Sequence, residues 1–143
     1  MISKLLKKNE KGFTLMEMLI VVAIIAVLIA IAIPTFNASL NKARVATDEA
    51  NIRSGYATVM ATVLTDELGK ENDGAAQNPQ NTKEFTLKLD GSVDAAGTAY
   101  ATKGKNTDSE LKIAGVDVGG WDKGATVKYT YHYDTSKIEI TVE

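Results

Sequence analysis

Lys11-Gly12-Phe13-Thr14-Leu15-Met16-Glu17, with the apolar run from Phe13 to Ile33, decides how this chain folds. That run of 21 residues carries one charge, Glu17. As a helix it would be about 31 Å long, close to the roughly 30 Å hydrocarbon thickness of a bilayer. The run therefore predicts one membrane-spanning helix. A carboxylate inside hydrocarbon costs on the order of 2.5–3.5 kcal/mol on insertion scales, so Glu17 is a functional candidate. Gly12, at the polar–apolar border, interrupts helical continuity and offers a protease an unobstructed backbone.

Residues 1–12 form a short polar, basic leader, and residues 13–33 the apolar half of a helix. The leader's lysines favour the cytoplasmic side and place the segment after Ile33 outside. A cleaved secretory signal is the competing reading, because Ala30-Ile31-Ala32 resembles an A-x-A cleavage site. Against it stand the length of the run and Glu17. An uncleaved membrane anchor is a third reading.

Pro34 removes a backbone donor and disfavours helical geometry at Ile33, so a kink is expected there, with a helix end as the alternative. Beyond it, Val45, Ile52, Tyr56, Val59 and Val63 fall on one helical face. The helix therefore resumes as an amphipathic half over 34–69, ending near Leu68 with Gly69 as its C′ residue. Gly55 is its only interior glycine, costing about 1 kcal/mol against alanine.

Residues 70–84 read as a polar surface loop and 85–143 as an antiparallel β head. Phe85, Leu87 and Leu89 alternate as one strand face, and Asp90-Gly91 marks a turn. A short strand is expected over 98–102 and a turn over Lys103-Gly104-Lys105-Asn106. Leu111 and Ile113 have opposite parity to Val116 and Val118, so Ala114-Gly115 is a bulge or tight turn. In the last hairpin, parity predicts Tyr133 opposite Ile138, Tyr131 opposite Ile140 and Tyr129 opposite Val142, with His132 beside Glu139 and Lys128 beside Glu143. The expected fold is α+β: a long kinked N-terminal helix, half apolar and half amphipathic, packed on a small C-terminal antiparallel sheet.

The chain has 143 residues, no cysteine and a net charge of −2; loss of Lys4, Lys7, Lys8 and Lys11 against Glu10 would take it to about −5. Without cysteine there is no disulfide and no thiolate metal site. A mildly acidic surface argues against nucleic acid as the main partner. His132, the single histidine, falls on a polar strand face, and no Gly-x-Ser-x-Gly elbow exists to pair with it. No enzyme activity, cofactor or metal site is expected. Calcium at the loop aspartates Asp90, Asp94, Asp117, Asp122 and Asp134 is the alternative to plain turn-forming roles. Trp121, in a glycine-rich loop, is expected to close one end of the core, with a surface anchor as the alternative.

The basic leader, Gly12, Phe13, Glu17, the uninterrupted run, Ala32-Ile33-Pro34 and Ala43-Arg44 closely resemble the N-terminus of type IV pilins and their pseudopilin relatives, over roughly residues 4–50. The resemblance implies cleavage between Gly12 and Phe13 by a prepilin peptidase, which also methylates the new Phe13 amine. It implies that Glu17 neutralises the Phe13 amine of a neighbouring subunit during assembly. The implied partners are further copies of the chain in a helical homopolymer, the peptidase, an assembly ATPase and a platform protein. The precursor would sit in the cytoplasmic membrane, N-terminus inside. The product would be an extracellular fibre serving adhesion, twitching motility or biofilm formation. A major pseudopilin of a secretion or DNA-uptake system is the alternative within the family, and a membrane-anchored binding module the alternative outside it. Many pilins carry a glycine between the acid and the proline; Ala26 stands at that position here.

Overall fold

The apolar run folds as helix. In the computed structural model, which describes residues 12–70, 82–93 and 97–143 with the side chains of 66–70 excepted, α1 spans Leu15–Lys70. It continues through Pro34 and ends two residues past Leu68. Pro34 cannot donate to the Ala30 carbonyl; one residue on, the Thr35 hydroxyl donates to the Ile31 carbonyl at 3.1 Å. Most of the leader and of the 70–84 loop, and Asp94, lie outside the described residues.

The chain divides into two units, Met1–Ala38 and Ser39–Glu143. In the first, the apolar side chains have no covering: every residue from Gly12 to Ala38 is exposed. In the second, α1 contributes Ile52, Val59 and Val63 to the core, with Val45 and Tyr56 half-buried beside them. These five are the stripe that 3.6-residue periodicity picks out.

The sheet against this stripe has the order β1-β4-β5, from β1 (Thr82–Thr86), β4 (Val127–His132) and β5 (Lys137–Val142), all antiparallel. A two-stranded ribbon pairs β2 (Lys112–Ile113) with β3 (Val116–Asp117). Val127, Tyr129 and Tyr131 point inward, as do Phe85, Ile138 and Ile140. Trp121 is buried at the core, paired through its backbone with Asn106. Ala114 and Gly115 both have positive φ, 52° and 83°, the pattern of a two-residue type I′ turn.

Four expectations need correction. Strand β1 begins at Thr82, inside the stretch expected as loop. Leu89 is 66% exposed, although Phe85 and Leu87 of the same parity are buried. The alternation fails because the chain leaves the sheet after Leu87 and turns at Asp90-Gly91, with the Gly91 amide donating to the Lys88 carbonyl at 3.0 Å. Residues 98–102 make isolated bridges, Lys88 with Ala99 and Ala101 with Thr126, rather than a strand. The final hairpin is shifted by two residues: Tyr131 faces Ile138, Tyr129 faces Ile140, and His132 faces Lys137. Parity fixes which face a side chain takes, but an even shift preserves every face, and the four-residue turn from Tyr133 to Ser136 selects this register. Both expected side-chain pairs form, as diagonals: His132 Nε2 lies 3.6 Å from Glu139, and Lys128 pairs with Glu143.

Candidate assembly site

Gly12, Phe13 and Thr14 precede α1, and Phe13 is 81% exposed. Thr14 is the N-cap. The Glu17 amide donates to its hydroxyl at 3.2 Å, while the Glu17 carboxylate accepts from the Thr14 amide at 2.7 Å and from the Thr14 hydroxyl at 2.9 Å. This Thr-x-x-Glu capping box satisfies donors that the first helical turn leaves open. It also fixes the carboxylate beside the backbone that joins Phe13 to the helix. Carboxylates are favoured at this end of a helix by its dipole.

Below this tip the helix presents apolar side chains all round. Leu15 is 85% and Ile31 66% exposed, and the exposed set runs on to Phe36. The small Ala23 leaves a groove walled by Ile20, Ile24, Val27 and Leu28. Such a notch accepts the side chain of another helix in the manner of knobs into holes. This stretch of α1 is long and apolar enough, by length and composition, to cross a membrane.

The four loop aspartates among the described residues have local partners. Asp117 meets Lys112 at 3.0 Å and Asp122 meets Lys105 at 2.7 Å. Asp90 accepts from the Ser92 amide at 3.0 Å, and hydrogen bonds from the Ser92 side chain and then its amide hold its carboxyl below the usual range; Asp134 accepts from the Thr135 amide. No group of three His, Cys, Asp or Glu side chains converges for a metal among the described residues.

Asp48 is a residue that sequence reading passed over. It is fully buried on α1. Its carboxylate accepts from the Lys103 amide at 2.9 Å, the Gly104 amide at 2.8 Å and the Tyr100 hydroxyl at 2.6 Å. Burial, and then the bond to Asp48, push the Tyr100 hydroxyl up to about 12. Two turns earlier, the Asn41 side chain exchanges two 2.9 Å bonds with the Lys105 backbone. The signal was spacing: Asn41, Val45, Asp48 and Ile52 share the face of the apolar stripe.

The prokaryotic N-terminal methylation motif matches residues 7–33, the stretch that holds Gly12, Phe13, Glu17 and the groove. The chain is 32% identical over 117 residues to the type IV major alpha-pilin of Moraxella bovis, covering 71% of this chain and 74% of that protein. It is 33% identical over 118 residues to fimbrial protein Q of the same organism, covering 78% and 75%. The chain belongs to the type IV pilin family. A further pilin relative, the type IV major fimbrial protein FimA of Dichelobacter nodosus, is 36% identical over 98 residues, covering 65% of this pilin and 61% of FimA. No solved structure matches the chain significantly.

Proposed function

We propose that this pilin is a structural fibre subunit, made as a membrane-anchored precursor and polymerised through the apolar half of α1. The observation that carries the reading is the unpartnered surface from Phe13 to Phe36, whose large apolar side chains are all exposed in the isolated subunit. Burying each against neighbouring helices contributes on the order of 1–2 kcal/mol, so a bundle of such helices is strongly favoured over exposure to water. The bilayer covers the same surface before assembly.

A prepilin peptidase cuts between Gly12 and Phe13 and methylates the Phe13 amine. Glu17, already held at the helix tip by Thr14, then neutralises the Phe13 amine of the adjacent subunit. A paired charge is tolerated in an apolar core where a lone one is not, so the pair rewards correct register. Assembly draws on an ATPase and a platform protein. The fibre serves adhesion, motility or biofilm formation.

The test is N-terminal mass analysis of material sheared from the cell surface. A terminal peptide beginning at Phe13 and carrying one methyl group is expected. A peptide beginning near Ile33 would mean ordinary secretion, and an intact N-terminus confined to membranes would mean an anchor. Glu17→Ala is expected to insert normally and assemble poorly; wild-type fibre yield from that variant would remove the pairing argument.

A further inference from the structure

The join that Asn41 and Asp48 make between α1 and the 100–106 segment also gathers positive charge. Gly104 lies against α1 so closely that a Cβ there would stand 2.8 Å from the Val45 amide nitrogen and 3.1 Å from Arg44 Cβ. Lys103 and Lys105 flank that glycine, and Lys42 adjoins Asn41. Four cations, Lys42, Arg44, Lys103 and Lys105, thus border one contact. Asp48, the carboxylate inside this contact, is buried and committed to backbone amides and Tyr100. Among the described residues only Lys105 of the four has an ion-pair partner, Asp122 at 2.7 Å. This concentration stands on a unit that carries twelve Lys and Arg against sixteen Asp and Glu.

We propose that this basic patch docks on the anionic phosphate headgroups of the membrane that holds the precursor, restraining the Ser39–Glu143 unit at the lipid surface until assembly. The proposal rests on the membrane-anchored reading of the precursor. Two facts choose lipid as the partner. Lys42 and Arg44 are the first charges in the chain after Glu17, so they mark where the apolar segment ends. Lys42 follows Phe36 by six residues, at most about 22 Å in any backbone conformation, which keeps it within reach of the headgroup layer. Each cation near an anionic surface strengthens binding roughly fivefold, so the three without partners give on the order of 100-fold, screened away at high salt.

The full chain, reconstituted one copy per nanodisc, tests this by amine acetylation and mass spectrometry. Discs of phosphatidylcholine alone are compared with discs that also contain phosphatidylglycerol. Lys42 and Lys103 are expected to lose reactivity several-fold in the anionic discs and regain it at high salt, while Lys137 on β5 stays unchanged. In the Arg44→Ser, Lys103→Ser variant, Lys42 should lose most of that protection, with the near-ultraviolet signal of Trp121 confirming the fold. Insertion with equal labelling in both discs overturns the docking proposal alone. Protection that appears only when several copies share a phosphatidylcholine disc assigns the patch to a second subunit and also overturns it. Failure to insert in either disc overturns the membrane reading and the proposal together.

Discussion

Replacing Gly55 by alanine sets two effects against each other, and the structure decides between them. In an exposed helix interior the change would stabilise by about 1 kcal/mol. Gly55 is buried where α1 meets the sheet, and a Cβ would fall 2.2 Å from the Tyr129 hydroxyl, 2.8 Å from its Cζ and 2.9 Å from Leu87 Cδ1. Tyr129 has nowhere to yield: it is fully buried, and its hydroxyl donates to the Ile52 carbonyl at 2.8 Å. Overpacking costs typically 1–3 kcal/mol, and loss of a buried donor's partner another 1–3 kcal/mol. The net expectation for Gly55→Ala is destabilisation by roughly 2–3 kcal/mol, a fall in Tm of about 10–20 °C for a unit of this size. Thermal unfolding of the full chain in detergent, followed by near-ultraviolet circular dichroism, measures it. Tyr129→Phe removes the closest atom, so the double variant should be more stable than the sum of the two single losses predicts, by at least ~1 kcal/mol. A higher Tm for Gly55→Ala, or strict additivity, would refute the packing argument.

Asp48→Ala strands two backbone amides and the Tyr100 hydroxyl and should cost about 3–5 kcal/mol in the same unfolding assay, while Asp48→Asn, which keeps one acceptor oxygen, should cost about half as much. Leu87→Ala should destabilise by about 2–5 kcal/mol, and Leu89→Ala by less than about 0.5 kcal/mol, although the two share a parity. In an ultraviolet titration of the folded chain, Tyr100 should ionise near 12 and Tyr129 later than an ordinary tyrosine, because both are buried neutral. Once unfolded they ionise near 10, so the unfolded state then binds fewer protons; stability should fall as pH rises from about 10 to 12, and a flat urea midpoint over that window would contradict the burial.

The N-terminal half of this pilin was legible because its chemistry is one-dimensional. An apolar run of this length reads as helix whatever the rest of the chain does, and α1 contains it from Leu15 on. The stripe from Val45 to Val63 was legible because helical period alone selects a face. The sheet was legible only in parity. Strand period two told which side Tyr129, Tyr131, Ile138 and Ile140 take, yet it could not choose between registers two residues apart, and the turn from Tyr133 to Ser136 did. Leu89 misled for the same reason: alternation says nothing about where a strand stops. Asp48 was hidden because an acid in a helix reads as solvated, and its three partners lie some fifty residues on.

The absence of cysteine gives these polar contacts their weight. With no covalent staple available, the 100–106 segment and β4 are tied to α1 at three heights. Asn41 holds Lys105, Asp48 holds Tyr100, Lys103 and Gly104, and the Ile52 carbonyl holds Tyr129. The three anchors are spaced seven and four residues apart, so they follow the same face as the apolar stripe. A carboxylate is the suitable group at the middle height, because three donors converge there and two oxygens can accept them all. The two close approaches, at Gly55 and Gly104, lie within this same face. Where a disulfide would hold two points, this arrangement depends on every contact along about three turns of helix being made together. The core contact at Gly55 and the polar contact at Asp48 should therefore be lost in one transition, even though they join α1 to different segments.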